Sequence, residues 1–204
     1  MSRFSFLWAR FGGDEAGLEA YSVPTEAVMA DLSGTSVALI GNAKSLAQSL
    51  HGTAIDAADL VIRLNSAPMP QESSHGRRTD WLAISTPVDA ATLRARAPRR
   101  ILWMTRKRKR LSYALASRPG FYLNRLADVT RLRAALGGPP TTGLMMIDLL
   151  ARSDAASVTL YGFDFFASLS LSGRRTAEQV PHDFAAERGY VEALIATDPR
   201  FRLV

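Results

Sequence analysis

The 204-residue chain contains no cysteine and only three histidines. Without cysteine there can be neither a structural disulfide nor a thiolate metal site, a composition suited to a reducing compartment. His51, His75 and His182 are scattered, and none stands among acidic residues at a familiar ligand spacing, so no metal is expected. No apolar run approaches the roughly 20 residues of a membrane helix. A GxSxG elbow is absent, which speaks against an α/β-hydrolase. So is the glycine-lysine loop of the phosphate-loop NTPases. The first residues, MSRFSFLWARF, are aromatic and basic but too short for a signal peptide, and no small-residue cleavage site follows. A cytoplasmic location is expected.

Charge of one sign is in excess. Twenty-five Lys and Arg face 19 Asp and Glu, for a net charge of +6. Such basicity suits nucleic acid, an anionic membrane surface, or a phosphorylated or carboxylated substrate. It is densest at Arg106, Lys107, Arg108, Lys109 and Arg110. Like charges so close repel and must be solvated or meet an anion. The run is a candidate membrane or acceptor patch, with Phe4, Phe6, Leu7 and Trp8 as candidate companions on an anionic inner leaflet. Aromatics do not interleave with it as base-stacking platforms would, so nucleic acid is the disfavoured partner.

The pattern organising the chain lies between residues 36 and 67. An apolar run, Val37-Ala38-Leu39-Ile40, stops at Gly41-Asn42; a helix-like segment over 43–50 pairs Leu46 with Leu50; a second apolar run ends at Arg63-Leu64-Asn65. Strand, glycine turn, helix, strand is how a nucleotide-binding α/β unit begins. Further strands are expected at 81–84, 101–104, 121–123 and 157–161, with helices over 87–97, 126–136, 144–151 and 183–195. Alternation of this kind predicts a single Rossmann-like α/β domain, its central sheet mostly parallel and covered by helices on both faces. Residues 1–34 lack a clean period and read as an irregular N-terminal arm before a nucleotide-sugar-binding domain over 35–204. Residues 66–78 read as a polar loop with His75 exposed, and 164–180 as a mobile loop.

Three places offer chemistry. Asn42 and Asn65 stand at the carboxyl ends of two strands, where open α/β sheets hold ligands. Pro140-Thr141-Thr142-Gly143 opens a helix and offers hydroxyls and N–H groups either to a phosphate or to an ordinary cap. His182 stands at the start of the last helix, with Glu187 five residues on. Histidine changes charge near neutral pH, so it suits a general base and equally a surface position.

Taken in order, these segments resemble the eukaryotic-type sialyltransferases. IGNAKSLAQSLHGTAIDAADLVIRLNSAP is similar to the large sialylmotif, and HGRRTDWLAIS to its continuation. PTTGLMMIDLLARSDAASVTLYGFDFF resembles the small motif, and HDFAAER the very small one. The resemblance implies a GT-A-like sialyltransferase variant of the Rossmann-like fold. It further implies metal-independent, inverting transfer of sialic acid from a CMP-activated donor, without a cofactor. Gly41, Asn42 and Asn65 then match positions around the CMP phosphate and ribose, and Thr142 and Gly143 the small-motif turn at the donor. His182 matches the general base. Glu187 matches the acid that holds the histidine and its helix in place.

The chain departs from the family in three ways. Its conserved disulfide has no counterpart here. The family's phosphate-contacting histidine is missing, since residues 160–180 contain none; Arg174, Arg175 or a tyrosine would have to replace it. The chain is also short for the family's stem, anchor and acceptor-recognition parts. The expected acceptor is a glycan, lipopolysaccharide or capsule precursor. CMP-Kdo is an alternative donor, and a non-catalytic nucleotide- or RNA-binding α/β protein the alternative function.

Overall fold

The computed structural model describes residues 2–66, 68–165 and 182–204. The chain opens with three helices, α1 (Arg3–Gly12), α2 (Glu15–Glu19) and α3 (Thr25–Leu32), which lead into strand β1 (Ser36–Ile40). A 3-10 turn (Lys44–Gln48) and α4 (Gly52–Asp56) precede β2 (Leu60–Leu64); α5 (Glu72–His75) precedes β3 (Trp81–Ile84); α6 (Ala90–Arg96) precedes β4 (Arg100–Trp103). A second 3-10 turn (Arg108–Arg110) and α7 (Tyr113–Ala116) lead to β5 (Phe121–Leu123). After it come α8 (Leu126–Leu136), α9 (Thr142–Ala151), β6 (Ser157–Tyr161), α10 (Phe184–Thr197) and β7 (Phe201–Leu203).

The seven strands form one sheet in the order β5-β4-β3-β2-β1-β6-β7, and every pairing is parallel. This is the predicted class, a mostly parallel sheet with helices on both faces. Leu60, Ile62 and Leu64 point to one face, where α3, α8, α9 and α10 pack; Val61 points to the other, beside Leu46 and Ile55. That second face continues over β3 to β5, where Phe6, Leu18, Leu93 and Leu115 cover Leu82, Ile84, Ile101 and Trp103. From Thr142 to Leu150 α9 is buried all round, so it reads apolar on every side and carries no amphipathic stripe.

From β1 the chain moves out through β2 to β5, and β6 then returns to β1's other side. Adjacent strands whose connections depart in opposite directions open a crevice at their carboxyl ends. Here these are β1 and β6. Gly41 and Gly162 meet at this point: a Cβ on Gly41 would overlap the Gly162 carbonyl oxygen. That oxygen also accepts from Ala43 N at 3.1 Å. Only glycine lets the two strand ends approach so closely.

Three local expectations are corrected. Residues 1–34 are not irregular. Ser2 Oγ caps α1 by accepting from Ser5 N at 3.1 Å, and Asp14 Oδ1 caps α2 by accepting from Gly17 N at 2.9 Å. The period is invisible because α1 buries only Phe6 and Ala9. Over 43–50 the helix is a 3-10 turn that buries Leu46 and leaves Leu50 exposed, and His51 precedes α4. His75, expected at the surface, is fully buried. The Asp56 carboxylate pulls its loop inward, accepting from Arg77 N at 2.8 Å and Arg78 N at 3.0 Å. The loop predicted over 164–180 falls almost entirely outside the described residues.

Candidate active site

The site is built on the carboxyl edge of the sheet. Asn42 follows β1, and its Nδ2 donates to the Leu64 carbonyl at 3.5 Å. Asn65 follows β2 with φ 54°, a left-handed conformation that asparagine tolerates better than most residues. Its N–H donates to Ala83 O at 2.9 Å, and its Oδ1 accepts from Ser85 N at 3.2 Å. Ser85, directly after β3, takes a hydrogen bond at 2.7 Å from the Thr142 hydroxyl. Sequence reasoning assigned Ser85 no role, although it closes the quoted segment HGRRTDWLAIS; its place one step past a predicted strand was the available signal.

Thr141 caps α9, its Oγ1 accepting from Leu144 N at 3.1 Å. Thr142 and Gly143 follow as the first two helical residues, whose N–H groups have no intrahelical partner. A Cβ on Gly143 would lie 2.8 Å from the Phe163 ring and 3.3 Å from Leu64 Cδ1. Glycine therefore lets the positive end of α9 close on the ends of β2 and β6.

The last helix is fastened to this same turn. Glu187 is buried, and its carboxylate accepts from Thr141 N at 2.6 Å and from Thr141 Oγ1 at 2.7 Å. Burial pushes its pKa up to about 7, against the opposing pull of the two Thr141 hydrogen bonds; Asp183 adds a smaller upward push. His182 Nδ1 lies 2.7 Å from the Pro139 carbonyl oxygen. A carbonyl only accepts, so Nδ1 carries a proton, and in the neutral imidazole Nε2 is then the nitrogen with the lone pair. Glu187 makes no hydrogen bond to His182; both grip consecutive parts of the Pro139–Thr141 turn. The structure thus brings Gly41, Asn42, Asn65, Thr142, Gly143, His182 and Glu187 to one edge. Arg174 and Arg175 lie outside the described residues.

The basic run is not one patch. Arg108 is buried, with its guanidinium paired to Glu15 at 2.5 Å and donating to the carbonyls of Thr105 and Asn124. Arg106, Lys107, Lys109 and Arg110 are exposed. Phe6 is buried as well, so both candidate groups lose a member to the core. Among the described residues no group of three or more His, Cys, Asp or Glu could hold a metal, and no helix is long and apolar enough to cross a membrane.

Comparison with known proteins places this architecture. A model of glycosyltransferase family 29 (sialyltransferase) matches residues 22–117, a little under half of the chain. None of the curated proteins matches. Among solved structures, a mammalian sialyltransferase in complex with Gal-beta-1-3GalNAc-ortho-nitrophenol is similar over 100% of this chain and 86% of its own, with a TM-score of 0.70 and 16% identity. A second mammalian sialyltransferase structure gives a TM-score of 0.65 at 17% identity, with the same two coverages. The sialyltransferase CstII from Campylobacter jejuni, in complex with the substrate analogue CMP-3FNeuAc, covers 83% of this chain and 81% of its own, with a TM-score of 0.60 and 13% identity. The chain therefore has a sialyltransferase-type fold, GT-A-like, with a mostly parallel sheet.

Proposed function

We propose that the protein is a glycosyltransferase that moves sialic acid, or a related ulosonic acid, from a CMP-activated donor to a glycan acceptor. The observation carrying this reading is that His182, held through Nδ1 at Pro139 O, stands beside the amino end of α9 at one sheet edge, its Nε2 without a partner among the described residues. Asn42, Asn65 and the Thr142 and Gly143 N–H groups would hold the donor's nucleotide and phosphate, as a helix N-terminus favours an anion. Nε2 would take the acceptor hydroxyl proton as its oxygen attacks the anomeric carbon. The bond from that carbon to the phosphate oxygen breaks, and CMP departs with the electron pair. Attack opposite the leaving group inverts the centre, and CMP needs no metal to leave. Glu187 is a positioning residue, acting through Thr141. Arg174 and Arg175 are candidates for the phosphate contact that the family's absent histidine would make.

The substrate analogue bound to the Campylobacter neighbour supports the CMP-linked donor class, and the disaccharide on the mammalian one a glycan acceptor. CMP-Kdo is a second candidate donor, because the residues gathered here would face the nucleotide more than the sugar. A lipid-linked glycan, lipopolysaccharide or capsule precursor would be met from the cytoplasmic side of the inner membrane.

The test is CMP release from CMP-sialic acid and from CMP-Kdo, with and without glycan acceptors, in wild type and His182→Ala. Turnover of one donor that collapses in the variant is expected. Wild-type turnover in His182→Ala would end the base assignment. No turnover of either donor would leave a nucleotide- or RNA-binding protein, which calorimetry with CMP, UMP and GMP would separate: preference for CMP is expected, and equal weak binding would count against the donor site.

A further inference from the structure

We infer that the corner built by α1 and the basic segment after β4 is a docking surface for an anionic lipid bilayer. The inner side of α1 is fully used. Phe6 is buried, with its ring edge-on to Tyr21 at 5.4 Å and tilted against Tyr113 at 5.7 Å. On the outer side stand Phe4, Trp8 and Phe11, which are 77%, 74% and 67% exposed. Their spacing, i, i+4 and i+7, places all three on one helix face. Three large aromatic rings left mostly in water by a ten-residue helix bury little area on folding, and a clustered apolar surface of this kind marks an interaction site. Beside them a groove of about 500 Å³ runs between α1 and α2, lined by Phe4, Trp8, Ala9 and Gly17 among others.

Two arginines fix this helix beside the cations. Arg10 donates to the Leu111 carbonyl at 2.8 Å, and its guanidinium lies 4.5 Å from the centre of the Phe11 ring. Arg108 holds Glu15 at the start of α2. The segment carrying exposed Arg106, Lys107, Lys109 and Arg110 is thereby clamped to the aromatic helix. Aromatic rings at the headgroup level with lysine and arginine beside them are what an interfacial helix presents to anionic lipid.

Charge decides the occupant. A second copy docking through the same patch would set four cations against four, whereas anionic headgroups neutralise them. Position adds to this. The segment after β4 leaves the sheet at its carboxyl edge, as do Asn42 and Asn65, and β4 lies two strands from β2, roughly 10 Å away. The surface itself does not depend on which donor the cleft takes.

Flotation with phosphatidylglycerol/phosphatidylcholine vesicles, against phosphatidylcholine alone, tests this together with tryptophan emission. Trp81 and Trp103 are fully buried, so a spectral change on mixing reports Trp8. The wild type should float with anionic vesicles only, with Trp8 emission shifted to the blue and quenched by brominated lipid. Each exposed cation is worth about fivefold in partitioning, so Lys109→Gln/Arg110→Gln should weaken binding about 25-fold. Phe4→Ser/Trp8→Ser/Phe11→Ser should lose flotation while keeping its unfolding temperature, which separates a docking defect from misfolding. Failure of the wild type to float at low salt would overturn the inference. So would flotation with Trp8 emission unmoved, or a Trp8 shift that follows protein concentration without vesicles and accompanies a dimer in sedimentation.

Discussion

Two polar clusters flank β2, each with a histidine, and they behave as opposites. Beneath the strand, Arg63 and His75 are fully buried. Arg63 donates from Nε to Arg78 O at 2.8 Å and from its terminal nitrogen to His75 O at 2.6 Å; burial lowers its pKa to about 10. His75 Nδ1 meets Ser74 Oγ at 2.7 Å, Nε2 has no partner among the described residues, and burial and Arg63 lower its pKa. Above the strand end, Asn65 and His182 are only half-buried, with Asn65 Oδ1 accepting from Ser85 N and His182 Nδ1 held at Pro139 O. The lower cluster spends its hydrogen bonds on closing a loop. The upper one, among the described residues, leaves His182 Nε2 and the first two N–H groups of α9 without a partner. Each imidazole bonds through Nδ1 alone, so solvent access, not residue type, separates the structural histidine from the candidate base.

The sharpest way to break this contrast is to delete each histidine. His182→Ala should lower turnover by about 10²–10⁴-fold, with CMP affinity nearly unchanged, as read by steady-state CMP release and calorimetry. His75→Phe should leave turnover within a few-fold and change the unfolding temperature instead. Equal losses of turnover in the two would erase the distinction.

Glu187 comes next, since it ties the upper cluster to α10. Folded, its carboxyl holds a proton up to about pH 7, whereas its ordinary value is 4.5. Folding therefore takes up a proton between those values. The group's contribution is fullest below pH 4.5 and is lost as pH rises through 7, a change of about 3 kcal/mol. Denaturant unfolding from pH 4.5 to 8 should show this decline, and Glu187→Gln should flatten it. The lowered pKa of His75 acts in the opposite sense up to its ordinary value of 6.5, so the decline is read as the wild-type curve minus that of Glu187→Gln. Coincident slopes in the two would contradict the buried, proton-holding carboxyl.

Smaller effects sharpen the picture. Asn42→Ala should weaken CMP binding by about 1.5–3 kcal/mol, the worth of one hydrogen bond to a charged group. At Asn65 the backbone separates two contributions: Asn65→Gly keeps the left-handed turn and loses only the amide, whereas Asn65→Ala adds roughly 1 kcal/mol of strain. Calorimetry with CMP and thermal unfolding of both variants distinguish binding from strain. Arg63→Met, beneath the same strand, should leave CMP affinity unchanged. Its stability cost should be about 1–2 kcal/mol, because unpaired carbonyls outweigh the relief of a buried charge.

Much of this architecture was legible in the chain. The apolar runs at 37–40, 60–62, 81–84 and 101–104 each mark a strand, because buried parallel strands are largely apolar along their length. Gly41, Asn42 and Asn65 stand where a strand-turn pattern puts them, and α9 and α10 begin within two residues of their expected starts at 144 and 183. These are local matters, decided by residues within a few positions of one another. Burial and partnership were not local. Phe6 and Phe4 sit two positions apart in one helix, and only the packing of Tyr21 and Tyr113 sends the first inside and leaves the second out. Arg108 differs from its four basic neighbours because Glu15, 93 residues away, is folded against it. Glu187 reaches across 46 residues to Thr141, and His182 across 43 to Pro139. Periodicity reports which face a residue shares with its neighbours in sequence; which atom lies opposite that face is decided only when distant segments pack.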